Sequence, residues 1–190
     1  MKLDVDQRSI SFIEESLLDN ILNNIEEDDW YIDDYRCEDP AMTAVNSIPI
    51  FHSASCTTCS DALLTVEKRK LFNKFYPLIE PILNELKVYY DYNFHASFLA
   101  RLNPRRRIEL HVDSGDFLMR GHRVHVPIKT NEDVKYVICN NEYYWEKGKI
   151  YEFDNSLVHG VINNSDEDRI HLVLNLYKLP EDELSRLNTI

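Results

Sequence analysis

The chain has 190 residues, enough for one well-buried domain and short for two. With 44% hydrophobic and 28% charged residues it has the balance of a soluble globular protein, and no apolar run nears the roughly 20 residues that a membrane span needs. A formal net charge of −12 repels a phosphate backbone over most of the surface, which argues against broad nucleic-acid binding.

The opening residues, MKLDVDQRSISFIEESLLDN, mix acids into every turn and lack the basic start and apolar stretch of a secretory signal. The expectation is an intracellular, cytoplasmic protein without a membrane anchor. Its four cysteines are then read as thiols. Cys37, His52, Cys56 and Cys59 hold enough donors for a tetrahedral zinc site, but the first spacing is irregular and no glycine-bearing knuckle surrounds the pair. Reduced, partly buried thiols are the preferred reading.

Residues 8 to 26 place Ile10, Phe12, Ile13, Leu17, Leu18, Ile21, Leu22 and Ile25 three and four apart, which predicts a helix with one apolar face. An acidic stretch with Pro40 and Pro49 follows and reads as a long connection with short extended pieces. From Ser60 to about Tyr90 helical spacing returns, with Ser60 or Asp61 as the cap and Pro77 and Pro81 bending or dividing it into two helices. After Asp91, short segments rich in Val, Ile, Tyr and Phe alternate with polar turns, the pattern of an antiparallel sandwich or barrel. All four glycines lie in this second half. The predicted organisation is one structural domain, with residues 1–90 a helical elaboration packed on a mostly β core of residues 91–190.

The chemistry-bearing residues fall in that second half. In RIELHVDSG, alternation puts Ile108, Leu110 and Val112 on one strand face and Glu109, His111 and Asp113 on the other. His159 follows at a distance in EFDNSLVHGV. His-x-Asp with a remote histidine is the donor set that holds Fe(II) on one face and leaves the opposite positions for cosubstrate and O2. Ten residues on, Arg169 starts RIHLVLNLY, where Arg169, His171, Val173 and Asn175 share a face opposite Ile170, Leu172, Leu174 and Leu176. An arginine there is either solvated or projects inward, where its planar fork can grip a carboxylate with two parallel hydrogen bonds. In RGHRVHVPI, Arg123 and His125 share one face and His122, Val124, Val126 and Ile128 the other. His125 reads equally well as a ligand contact or a satisfied core histidine.

Arg101, Arg105, Arg106, Arg107, Arg120 and Arg123 cluster in sequence and can favour an anionic substrate, although Arg105 to Arg107 read better as solvated loop residues. Arg120 and Trp145 are the candidates on the substrate side. Trp145, Tyr151 and Phe153 are cavity-lining or core aromatics.

From about Phe94 to Leu187 the sequence resembles the aspartyl/asparaginyl β-hydroxylase family of 2-oxoglutarate oxygenases, through HVDSG, RVHVPI, YYWEKGKIYEFDNSLVHGV and RIHLVLNLY in that order. The resemblance implies a double-stranded β-helix, a cupin-like jelly roll. It implies His111 and His159 as iron ligands, Arg169 on the distal carboxylate of 2-oxoglutarate, and Arg123 with His125 against the cosubstrate. Some members carry glycine where this sequence has Asp113, so the full triad of His111, Asp113 and His159 is kept here. The helical-repeat domain of the animal enzymes, which act in the secretory pathway on disulfide-rich modules, has no counterpart in this chain.

The implied reaction takes 2-oxoglutarate and O2 to succinate and CO2 while hydroxylating an unactivated C–H bond. The substrate is expected to be a small molecule or peptide: an amino acid, a small derivative, or an Asp/Asn side chain of a protein. Nothing in the sequence specifies an oligomeric state. A metal cupin enzyme that needs no 2-oxoglutarate shares the three donors but has no use for Arg169. A non-catalytic sensor on the same fold forms no succinate, and a nucleic-acid demethylase conflicts with the acidic charge.

Overall fold

A computed structural model of the chain describes residues 3–32, 44–51 and 65–187. Among these residues, ten strands and four α-helices run in the order β1 (Gln7–Phe12), α1 (Glu15–Asn23), β2 (Val45–Phe51), α2 (Val66–Leu86), β3 (Phe94–Leu102), β4 (Arg107–His111), α3 (Asp116–Arg120), β5 (His122–Lys129), β6 (Val134–Ile138), β7 (Asn141–Tyr143), β8 (Lys149–Phe153), β9 (His159–Asn163), β10 (Arg169–Tyr177) and α4 (Glu181–Leu187). A short 3-10 turn, Glu27–Tyr31, follows α1. The strands form a six-stranded sheet, β1-β8-β5-β10-β3-β2, facing a four-stranded one, β4-β9-β6-β7. Every pairing is antiparallel.

The large sheet is buried on both faces, which explains why β3 and β10 are buried along their full length. On its outer face Ile170, Leu172, Leu174 and Leu176 meet Val124, Val126 and Ile128 beneath α1 and α2. On its inner face Phe98, Ala100, Leu102 and Val173 meet Ile108, Tyr136, Trp145 and Val161 across the space between the sheets. The alternation read from RIHLVLNLY therefore separates two cores, one under the helices and one inside the jelly roll.

The first 90 residues differ from the helical elaboration predicted for them. Residues 7–12 form an edge strand of the large sheet rather than the start of a helix, whereas β2, one of the extended pieces expected around Pro49, closes the opposite edge. The apolar spacing in this stretch is real but is shared between a strand and a nine-residue helix that buries Leu18 and Ile21. Nor is the second helical region divided: α2 runs unbroken through Pro77 and Pro81, starting at a Thr65 cap whose hydroxyl accepts from the Lys68 amide at 3.1 Å. Both prolines lie on the exposed side of α2, so the carbonyls they deprive of a partner face water while Leu71, Phe75, Ile79, Ile82 and Leu86 remain buried. Ser60 and Asp61 lie outside the described residues, as do Cys37, His52, Cys56 and Cys59 of the zinc reading. Cys139, the one cysteine among the described residues, is a free and exposed thiol. Among the described residues no helix is long and apolar enough to cross a membrane.

Candidate metal and cosubstrate site

Two strands and a loop of the small sheet bring the three predicted donors together. His111 ends β4, His159 starts β9, and the two are register partners across that pair. Asp113 lies two residues beyond β4, where its amide donates to the Asn155 carbonyl at 3.2 Å. One ligand atom from each of His111, Asp113 and His159 lies within 4.8 Å of the others, the only such group of His, Cys, Asp or Glu found among the described residues.

Strict alternation along β4 does not survive. Register shifts between Ile108 and His111, which face Val161 and His159, so β4 spends one more residue than β9 over the same span. This bulge turns both Ile108 and His111 into the cavity, whereas Leu110 (57% exposed) and Val112 (44%) face solvent, contrary to the single apolar face predicted for the three aliphatics. Glu109 is likewise outside the site, ion-paired with Arg107 at 2.6 Å. Gly160 permits the close approach of the two strands: a Cβ there would lie 2.9 Å from the Ile108 carbonyl oxygen.

The donors are oriented for a cation. Nδ1 of His111 bonds the Glu109 carbonyl, and Nδ1 of His159 the Leu157 carbonyl, each at 2.8 Å. A carbonyl only accepts, so Nδ1 carries the hydrogen and Nε2 presents a lone pair inward. Asp113 Oδ1 is 3.6 Å from Nε2 of His111 and 3.9 Å from Nε2 of His159, beyond hydrogen-bond length and spaced around a common centre. Asn155 donates to Asp113 Oδ2 at 3.0 Å and to the Leu118 carbonyl at 3.2 Å, which fixes the carboxylate and ties it to α3. Burial alone would raise the Asp113 carboxyl; Arg123, His111, His159 and Asn155 outweigh it and hold the group far below the ordinary carboxylate range. Burial lowers His159 below its usual value and keeps the ring neutral. Two neutral imidazoles and one carboxylate, all with the non-ligating atom restrained, fit a divalent metal such as Fe(II).

Behind the donors lies a cavity that opens to solvent. Arg123, His125, Trp145 and Arg169 line it. Inner-face positions step along β10 from Arg169 through His171 and Val173 to Asn175, with His125 beside Val173 and Arg123 beside Asn175 on β5. The guanidinium of Arg169 (2% exposed) is thus deepest, and Arg123 lies nearest the metal donors, 3.8 Å from Asp113 Oδ2. Arg169 Nε donates to the Tyr136 hydroxyl at 2.8 Å and Arg123 donates to Asn175 Oδ1 at 2.8 Å.

His125 is pushed well below its ordinary value by burial and then by Arg123, Arg169 and His159, so it is a neutral ring. Three buried nitrogens of lining residues have no hydrogen-bond partner among the described residues, Arg123 Nε, His125 Nε2 and Trp145 Nε1. Two guanidiniums and several unused donors in one enclosed space fit a dianion such as 2-oxoglutarate.

The remaining arginines separate. Arg101 is buried against Glu27 and Trp30, Arg105 pairs with Asp166, and Arg120 forms a two-pronged ion pair with Glu183 of α4. Arg120 thus links α3 to α4 and is not among the residues that line the cavity. Trp145 and Phe153 do line the cavity, whereas Tyr151 stands behind, its ring stacked on Trp145 at 4.9 Å. Sequence reasoning missed Asn155, whose one signal is the polar DNS turn before His159, and assigned no role to Tyr136, His171 or Asn175.

Two antiparallel sheets closing over a two-histidine, one-carboxylate cluster define a jelly roll with a metal-binding donor set. The same fold appears, at 15% identity, in a viral collagen prolyl hydroxylase from Paramecium bursaria Chlorella virus-1 solved with 2OG, with a TM-score of 0.54 over 93% of this chain and 98% of that one. It recurs in a Pseudomonas putida prolyl-4-hydroxylase (12% identity, TM-score 0.51, 93% and 95% covered). A Burkholderia pseudomallei oxidoreductase of the 2OG-Fe(II) oxygenase family shares it as well (12%, 0.54, 92% and 85%). No curated protein matches the sequence significantly. Residues 62–178 match the model of the aspartyl/asparaginyl β-hydroxylases, and the chain belongs to that family. It is accordingly an oxidoreductase of the hydroxylase type.

Proposed function

We propose that the protein is an Fe(II)- and 2-oxoglutarate-dependent dioxygenase that hydroxylates an unactivated C–H bond of an amino acid, a small amino-acid derivative or an Asp/Asn side chain. The observation that carries this reading is the convergence of His111, Asp113 and His159 at the mouth of a cavity whose far end is a buried arginine. In this reading Nε2 of His111, Nε2 of His159 and Oδ1 of Asp113 hold the metal. The bound metal and cosubstrate supply the oxidation, in which 2-oxoglutarate, O2 and R–H become succinate, CO2 and R–OH.

The protein's own part is positional. Arg169, braced by Tyr136, takes the distal carboxylate in a planar two-point grip, and Arg123 and His125 supply donors nearer the metal. Phe98, Ile108, Val161 and Val173 wall the cavity with apolar surface and exclude water. Asn155 and the carbonyls of Glu109 and Leu157 keep the three ligands aimed at one centre before any ion arrives.

The test is succinate formation by anaerobically iron-loaded protein offered an amino-acid and peptide panel, beside an Arg169→Ala control. Turnover that disappears in the control supports the reading. Binding of 2-oxoglutarate without succinate under any condition would instead make the protein a sensor on the same fold.

A further inference from the structure

Asn175 is the one amide in the apolar run that makes up most of β10, and it is 2% exposed. Its register partner on β5 is Arg123 and on β3 Ala96. Arg123 Nη1 donates to Asn175 Oδ1 at 2.8 Å. A guanidinium only donates, so this contact fixes the amide with its oxygen toward Arg123 and its nitrogen away. That nitrogen is buried and has no hydrogen-bond partner among the described residues. A buried amide with an unmet donor is costly, and an apolar side chain of the same shape would avoid the cost. What the asparagine adds at this position is its grip on Arg123.

On the other side of that guanidinium stands the carboxylate of the donor set. Arg123 Nη2 is 3.8 Å from Asp113 Oδ2, and the two side chains are only 8% and 7% exposed. Opposite charges so little screened by water ordinarily close to a charge-assisted hydrogen bond of about 2.8 Å. Here they attract without closing. Two asparagines hold them apart: Asn175 takes Nη1 of the arginine, and Asn155 Nδ2 occupies Asp113 Oδ2 at 3.0 Å. Oδ1 is left facing Nε2 of His111 and of His159, at 3.6 and 3.9 Å. A guanidinium released by Asn175 would be free to turn its fork onto both carboxylate oxygens, and a carboxylate clasped in that way is a poor ligand for a second cation.

We propose that Asn175 is a positioning residue that keeps the Arg123 guanidinium from closing on Asp113, and so keeps that carboxylate available to a divalent metal. The inference rests on His111, Asp113 and His159 being a metal site and adds what holds the site open before an ion arrives. Asp113 has two suitors of the same sign, the ion and the arginine, and Asn175 decides between them by engaging the arginine. A purely structural role is the competing account, since Asn175 lies in a packed strand between β5 and β3. The two accounts part on whether the effect of losing Asn175 passes through Arg123.

The experiment is a double-variant cycle on full-length protein without cosubstrate, with Mn(II) affinity read by calorimetry and the Arg123–Asp113 separation read from metal-free crystal structures. Asn175→Leu, with Asn175→Ala as a second variant should the first misfold, is expected to weaken Mn(II) binding about tenfold or more and to bring Arg123 into hydrogen-bond contact with Asp113. Arg123→Met is expected to bind Mn(II) at least as tightly as the wild type, because it removes both the competitor and a positive charge beside the ion. Adding Asn175→Leu to Arg123→Met is expected to cost nothing further. An Asn175 variant that binds Mn(II) like the wild type, or one whose loss is as large with Arg123→Met as without it, overturns the proposal. If the wild type binds no Mn(II) while Arg123 closes on Asp113 in Asn175→Leu, the separation stands and the metal reading falls.

Discussion

Asp113 is the residue most constrained by its neighbours, since burial opposes its charge and four polar groups restore it. Of these, Asn155 is the one that is neither a proposed ligand nor a cavity cation, and it grips both the carboxylate and the backbone of α3. Asn155→Ala is expected to weaken Mn(II) or Fe(II) binding by roughly 10-fold or more, the usual effect of losing such a support, with little change in 2-oxoglutarate contacts at Arg169; metal titration calorimetry reads this directly. At the far end, Arg169→Lys keeps the charge and loses the fork. Its 2-oxoglutarate affinity is expected to fall at least about tenfold, because an ammonium cannot reproduce two parallel hydrogen bonds while also bracing Tyr136. Metal affinity measured on the same variant should stay at the wild-type value.

At the scale of elements, the site depends on how strands are pinned. Gly160→Ala would set a Cβ 2.9 Å from the Ile108 carbonyl oxygen, a backbone atom that cannot swing aside, so β4 must move away from β9. We expect a loss of roughly 1–3 kcal/mol in thermal or urea unfolding, accompanied by weaker metal binding as His111 shifts. On the other face of the large sheet, β1 is fastened through Glu152, which is 2% exposed and accepts from Tyr90, Arg8 and His122 at 2.8, 2.9 and 2.6 Å.

Burial raises the Glu152 carboxyl, but the hydrogen bonds from His122, Tyr90 and Arg8 prevail and hold it below its ordinary 4.5. A depressed carboxyl contributes its stability above the unfolded value and loses it as pH falls through the folded one. Acidification from neutral through 4.5 and below is therefore expected to lower the Tm of the wild type more steeply than that of Glu152→Gln, which starts lower and titrates nothing at this position.

For the whole molecule, the N-terminal residues share a core with the oxygenase strands. Ile13, Leu18, Ile21 and Trp30 are buried in the same cluster as Val124, Leu172 and Leu174. We therefore propose that residues 1–90 and 91–190 form one cooperative unit. Removing residues 1–32 strips the β1 edge and uncovers that apolar face. The shortened chain is expected to lose its cooperative unfolding transition, as followed by circular dichroism and calorimetry; a sharp transition at the wild-type temperature would show the core to be independent.

What the sequence by itself determined was local. Periodicities of two and 3.6 marked the strand-rich second half, and the alternation in RIHLVLNLY and RGHRVHVPI grouped Arg169 with His171 and Arg123 with His125 on shared faces, which the structure turns inward. The identities of His111, Asp113 and His159 announced a donor set before any geometry was known. Tertiary structure alone decided what depends on a partner strand or a closed cavity. Residues 7–12 pair with β8 because an edge was open to them, and the β4 bulge exists because β9 sets the register, so both escape any reading of one segment at a time. Arg120 and Arg169 are the same side chain in sequence; one finds Glu183 at the surface and the other a buried phenol. A guanidinium's role follows from what surrounds it, and its surroundings come from strands and helices far away in the chain.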